Sequence, residues 1–457
     1  MKKLVLTLLT TCLVTVFSLA GCGNNEAGNS SASPSASPSA SAVESASQGA
    51  ASESPSASDD KPFKMRISAW FLTEGEGTND AFKKAVEDKF KEKYPNGSIQ
   101  WDNLTGEKYF DKLKAELASS SAADIIYSQQ VPSLGKAGYL MDLSGEPWVS
   151  DMVDATKIVE AYDGKIYGAA TTIQSFGFYY NKKIFADLGI TPPKTFNELL
   201  AAGEKLNAAK ITPITVGFKD QWTLDYFFGG YAQLAQALTS PTFEADVFNG
   251  TQQLDGPETI SAIDKFTQLA QKNMFNKSAL SIDWPQTQIE FASGKAAMIY
   301  QGPWMAQVTE DTFTSKGFDP FEVGFFPLSD ENGKVIMGVG PDHSVSINAK
   351  TEHPQEAKDL LSLILSPELI AVHAGDGGMS GMKSANIEAK LPAMKELLDV
   401  LKNSPTTYQW GSYYPPSVKT GILNLVTKII GGGKAGDGEL DEVKKNYEKD
   451  KSLIILP

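Results

Sequence analysis

The chain has 457 residues, 41% apolar and 21% charged, a globular composition long enough for two domains with substantial interiors. A formal net charge of −14 argues against a nucleic-acid backbone as partner. The three histidines, His343, His353 and His373, are too scattered for an imidazole metal cluster, and no metal or cofactor is expected.

Lys2 and Lys3 precede an apolar run at 4–20, which is short for a membrane-crossing helix and reads as an export signal. The run ends Leu19-Ala20-Gly21-Cys22, which resembles the lipobox of bacterial lipoproteins. That resemblance implies a signal peptide at 1–21, removed before Cys22, whose sulfur and new amino group carry lipid. Cys12 leaves with the signal, so the folded part has no thiol for a disulfide. The Ser/Ala-rich stretch that follows cannot bury enough apolar surface to fold, so 22–60 is read as the lipid anchor and a disordered linker.

The folded part opens with an alternating strand at 65–71, which holds the only arginine of the chain, Arg66. Arginine is the residue that grips carboxylates and phosphates with paired bonds, so a ligand needing several such forks is excluded. Phe82, Val86 and Phe90 recur every four residues and predict a helix to about 94, stopped by Pro95-Asn96-Gly97. A strand at 98–101, a helix carrying Tyr109, Leu113 and Leu117, and a strand at 123–127 complete βαβαβ, which predicts a parallel sheet under helices. Thr195 to Glu198 is a capping box that opens a helix to about 207. Helices at 260–269 and 286–291 follow, then strands at 296–300, 322–326 and 344–347. Pro354 starts a helix to about 365, Ser366-Pro367 starts another, and helices near 387–401, 419–430 and 439–449 close the chain. The glycine runs at 375–378 and 431–433 lack the Gly-Lys-Ser/Thr ending of a phosphate loop, and no Gly-x-Ser-x-Gly elbow occurs.

Several stretches fall in one order: Gly164-Lys165-Ile166-Tyr167-Gly168, Phe178-Tyr179-Tyr180-Asn181-Lys182, Pro192-Pro193-Lys194-Thr195-Phe196, Phe291-Ala292-Ser293-Gly294-Lys295-Ala296-Ala297-Met298 and Gly302-Pro303-Trp304. Together they resemble the extracellular solute-binding proteins of ATP-driven importers, in the family that includes maltose-binding protein, over about 62–400. The resemblance implies an α/β, two-domain periplasmic-binding-protein-like fold with a hinge and an interdomain cleft. By that analogy one domain holds 62–173 plus 326–350 and the other 177–322 plus 351–457. The hinge would then lie near Thr172 to Ser175 and Gly324 to Leu328. It further implies a substrate-binding lipoprotein of an ABC transporter, a monomer on the extracellular face of a cell with one membrane. This protein captures a neutral mono- or oligosaccharide, makes no covalent change and delivers the ligand to permease subunits.

Sugars present a flat C–H face to aromatic rings and hydroxyls to amides and carboxylates. Trp70 ends the first strand, where open parallel sheets place ligands, and either covers a sugar or packs in the core. Gln130, and after it Gln129, follows the third strand. Gln174 stands seven residues before Asn181, where maltose-binding protein has an acidic cleft residue. Trp304 matches that protein's stacking tryptophan, with Gln301 beside it. Trp222 and Tyr226 share a helical face and suit core or ligand equally. Tyr408, Trp410, Tyr413 and Tyr414 crowd one loop, of which Trp410 and Tyr414 are preferred. Asp342 could accept from a hydroxyl near the hinge. Two other readings stay open: a lipid-anchored carbohydrate-active enzyme, with Asp124, Glu290 and Asp342 as candidate acids, and a receptor for a non-sugar solute such as a polyamine.

Overall fold

The computed structural model describes residues 61–456 apart from 73–76, 105–106, 376–377 and 435–436. The expected signal peptide at 1–21, the anchor Cys22 and the linker at 22–60 lie outside the described residues.

Alternation at the start of the described chain produces β1 (Phe63–Ala69), which pairs in parallel with β2 (Gly97–Asn103) and β3 (Ile125–Tyr127). Helices Gly77–Lys93 and Glu107–Ser119 make the crossovers. Phe82, Val86 and Phe90 bury the first against the core of Met65 and Ile67, while Tyr109, Leu113 and Leu117 bury the second under Ile126. The predicted βαβαβ unit is therefore present, its first strand beginning two residues earlier than expected. Arg66 donates to the carbonyl of Ser121 at 2.8 Å and pairs with Asp102 and Glu116, a partly exposed network at the sheet edge.

A short hairpin, β4 (Ala161–Tyr162) and β5 (Lys165–Ile166), leads to β6 (Ala169–Gln174). The chain then passes through Ser175 and Phe176 into a second sheet. That sheet contains β7 (Gly177–Asn181), β8 (Thr212–Thr215), β9 (Ala296–Gln301) and β10 (Val323–Phe326), ordered β10-β7-β9-β8. The strand β7 is antiparallel to both neighbours, and β8 is parallel to β9. Its core is aromatic: Phe227 stacks on Tyr300 at 4.5 Å and Phe178 on Phe326 at 5.0 Å.

The chain returns to the first sheet in β11 (Met337–Ile347), then β12 (Met379–Ser380) and β13 (Thr406–Tyr408). The order is β12-β6-β11-β3-β1-β2, with β13 on β11. The sequence predicts a strand only at 344–347, whereas β11 also runs through Pro341, which cannot donate to a ladder. The chain accommodates it with register shifts on either side of His343, which keep an 11-residue strand running from one part of the sheet to the other.

One expected boundary is wrong. Residues 351–457 were assigned together to the second domain, yet helices Pro354–Ile364 and Pro367–Ala374 pack on helix Gly77–Lys93. Leu360, Leu361, Ile364, Leu369 and Ile370 are fully buried with Met65, Ile67 and Val345 in the first core. The chain crosses back only after β12, where helix Pro392–Asn403 lies on β10. Helices Gln221–Thr239, Pro257–Gln271 and Pro416–Ile430 cover the second sheet's core.

Candidate functional site

A cavity of about 580 Å³ takes its walls from both sheets and from the loop after β13. This size suits a small-molecule ligand. From the first sheet come Gln129 and Gln130, in the turn after β3, and Gln174 at the end of β6. Strand ends in a parallel region leave the chain at one side of the sheet, which is why polar side chains gather there.

Helix Gln221–Thr239 supplies the facing wall. Trp222, Asp225, Tyr226, Gly229 and Gln233 recur at three- and four-residue steps along one stripe. Tyr226 stacks on Phe176 at 4.1 Å, and Trp222 meets Trp284 and Trp304 edge-on at 5.6 and 6.2 Å. The loop after β13 adds Gln409, Trp410, Tyr413 and Tyr414. Two glycines of β11 make this closeness possible: a Cβ on Gly338 would lie 2.1 Å from the Gln233 amide oxygen, and one on Gly340 would lie 2.8 Å from that of Gln409.

Gln174 ties the walls together. It is 1% exposed, and its Nε2 faces the Tyr226 hydroxyl at 2.9 Å, the Pro341 carbonyl at 3.2 Å and Gln409 Oε1 at 3.3 Å. Gln409 Nε2 is buried with no partner among the described residues, a donor left for a ligand or a water. Burial pushes the Tyr226 phenol far above its ordinary range, so it remains a neutral hydroxyl.

Six glutamines line the cavity, and its only charged side chains among the described residues are Asp225 and Lys419, which pair at 2.6 Å. The lining is thus close to electroneutral. Amides both donate and accept, so they match hydroxyls in either role. Among the described residues no three His, Asp or Glu side chains gather as metal ligands. No helix among them is long and apolar enough to cross a membrane.

Of the residues singled out from sequence, Gln130, Gln174, Trp222, Trp410 and Tyr414 line the cavity, as do Gln129, Tyr226 and Tyr413. Four others do not. Trp70 packs among Phe71, Tyr109, Phe110 and His343, with ring centroids 5.3–5.9 Å away, in the first core. Trp304 stands one ring behind the wall, beside Trp222 and Phe176, because its indole folds back over the bare Cα of Gly302. Gln301 is 3% exposed in β9, and its side-chain Oε1 has no partner among the described residues. Asp342 is not in the lining although Pro341 beside it is: its backbone carbonyl accepts from Gln129 at 3.4 Å, and burial pushes its carboxyl up to about 7.

Beside Asp342, His343 stacks on Phe71 at 3.6 Å and shares a 2.9 Å hydrogen bond with His373. Burial lowers both, His373 to about 3, so the pair is neutral near pH 7. Sequence reasoning missed Asp225, Gln233, Gln409 and Lys419. The stripe from Trp222 extends by helical steps to Asp225 and Gln233 and would have found those two; Gln409 and Lys419 carry no such period.

Two α/β cores between which the chain crosses more than once, with a polar and aromatic cavity walled by both, define a ligand-capturing binding protein. Residues 75–370 match the family described as bacterial extracellular solute-binding protein, and the chain belongs to that family. It is 27% identical over 323 residues to the multiple sugar-binding protein of Streptococcus mutans, covering 67% of this chain and 73% of that one. It is 25% identical to the maltodextrin-binding protein MdxE of Bacillus subtilis, over 64% and 67% of the two chains. Among solved structures, a chitin oligosaccharide binding protein superposes with a TM-score of 0.73 at 19% identity, over 85% of this chain and 99% of that one. RafE in complex with raffinose gives 0.71 at 19%, over 85% and 100%.

Proposed function

We propose that the protein captures a neutral mono- or oligosaccharide in this cavity and passes it unchanged to the permease of an ABC importer. The observation that carries the reading is the lining: six amide side chains with Trp222, Tyr226 and Trp410, and one ion pair that cancels its own charge. The names of relatives that bind sugars support it.

The lining weighs against hydrolysis. A glycosidase needs two carboxyl groups flanking the bond, and among the described residues Asp225 is the single carboxylate in the wall. Asp124 instead accepts from the Arg66 backbone and Thr351, and Glu290 from Thr215. A polyamine receptor would need several cleft acids, which this wall does not offer. Lipidation at Cys22 would hold the protein, as a monomer, at the outer face of a single-membrane cell. Radiolabelled palmitate incorporated by the wild type but not by Cys22→Ala tests this.

A thermal-shift screen of the full chain against maltotriose, raffinose, chitobiose and spermidine tests the ligand class. A ligand at about 100 times its dissociation constant stabilises by about 2.7 kcal/mol. A shift with a neutral sugar that is recovered intact supports the proposal. A shift with spermidine alone, or sugar breakdown, overturns it.

A further inference from the structure

The loop that carries Gln409, Trp410, Tyr413 and Tyr414 has little regular structure of its own: it follows a three-residue strand and ends where helix Pro416–Ile430 begins. Its shape is fixed from outside. Glu244, the second residue of helix Phe243–Asn249, is 2% exposed. Its Oε1 accepts the Gly411 N–H at 2.5 Å, and its Oε2 accepts the Tyr413 N–H at 2.8 Å. Its own N–H donates to the Tyr408 hydroxyl at 3.2 Å. Tyr408 at the end of the strand and Gly411 and Tyr413 in the loop are thus held by one residue 164 to 169 positions away. Between the two bonds, Gly411 sits at φ +77°, where a side chain would be strained, and the chain reverses there.

We infer that Glu244 is a positioning residue for ligand binding: its carboxylate clamps two main-chain N–H groups of the 409–414 loop and so sets where Gln409, Trp410 and Tyr413 stand in the cavity. This rests on reading that cavity as the sugar site. A buried carboxylate is a poor choice for stability alone, since desolvation offsets much of what its bonds return. What it provides is direction: two acceptor oxygens fix two donors in one geometry, which an apolar residue of the same volume cannot do. The neighbours are arranged for it. Lys419 on helix Pro416–Ile430 draws Glu244 toward its charged form while pairing with Asp225 and lying 5.9 Å over the Trp410 ring. Asp225 opposes it, and Tyr408, Tyr413, Tyr414 and Tyr447 surround it as neutral phenols, with Asp246 on the same helix. Burial outweighs the N–H bonds and Lys419, and the carboxyl is pushed up to about 7.

The test compares wild type with Glu244→Gln, whose amide keeps the shape but turns an –NH2 toward one of the two donors. Amide hydrogen exchange at Gly411 and Tyr413 needs no ligand. It should speed up at least tenfold in the variant, with helix Gln221–Thr239 unchanged. The dissociation constant for raffinose or maltotriose, whichever the wild type binds, should rise about tenfold at pH 8. Wild-type affinity should fall toward the variant's between pH 8 and pH 6 as the clamp protonates. Asp342 is raised to the same range but is present in both proteins, so the difference between the two profiles isolates Glu244. Unchanged exchange, or faster exchange with equal affinity and parallel pH profiles, overturns the inference. Faster exchange in a protein whose wild type binds no neutral sugar leaves the clamp standing and removes the sugar reading.

Discussion

Trp222→Ala separates the ring that faces a ligand from the rings that support it. An indole covers roughly 150–250 Å² when fully buried. Trp222 is half-buried, with Tyr226, Trp284 and Trp304 taking its edges, and it lines the cavity. If about a third of that area is left for a sugar face, roughly 50–80 Å² at about 25 cal/mol per Å² is worth about 1–2 kcal/mol. Removing it should weaken binding by about 10- to 30-fold. Isothermal titration of the full chain with the sugar selected in the thermal screen measures this directly. Trp304→Ala, one ring further back, should cost less than about fivefold. Wild-type affinity in Trp222→Ala together with a loss above about tenfold in Trp304→Ala would refute the reasoning and make Trp304 the stacking ring.

Other outcomes follow from the same geometry. Gln174→Leu strips partners from Tyr226, the Pro341 carbonyl and Gln409. An unpaired buried group costs about 1–3 kcal/mol, so denaturant titration should show that order of loss and sugar affinity should fall about tenfold. Trp70→Ala should destabilise by about 2–4 kcal/mol, below the full cost of truncating a large core aromatic, yet leave affinity within about threefold; a larger affinity change would return Trp70 to the site. Stability should fall as pH rises from 6 to 9. Burial raises Glu160 to about 8 and Glu244 and Asp342 to about 7, so the stability tied to their neutral forms is full below the ordinary carboxyl range and lost as pH passes 7–8. On the acid side, His343 and His373 are lowered from 6.5, so their contribution is lost as pH drops below that value. Melting temperatures across pH check both limbs, and a higher value at pH 8.5 than at pH 6 would contradict the first.

How far the sequence carried depended on whether a feature was periodic or merely present. The βαβαβ start was legible because Phe82, Val86 and Phe90 sit at helical steps between alternating strands, and local pattern settles local structure. The same kind of pattern at Ala357, Leu360, Leu361 and Ile364 reveals a helix but not which of two cores receives it, so the 351–374 segment was misplaced. Trp70, Trp222 and Trp304 are chemically alike; what differs is their surroundings: Phe110 and other rings pack on Trp70, Trp304 folds over Gly302, and Trp222, held at its edges by other rings, lines the cavity. Gln409 gains its meaning from Gly340 and Gln174, which lie 69 and 235 residues away in sequence. Contacts of that range leave no periodic trace.

Reversible binding of one neutral sugar in the cavity walled by Gln174, Trp222 and Gln409 is open to direct measurement. Isothermal titration of the full chain with maltotriose, raffinose and chitobiose, followed by chromatography of the recovered ligand, tests it most directly. One molecule should bind per chain for at least one of these sugars and be recovered intact, with the heat diminished in Trp222→Ala. Heat from spermidine and none from any sugar, or a sugar returned as smaller products, would contradict it.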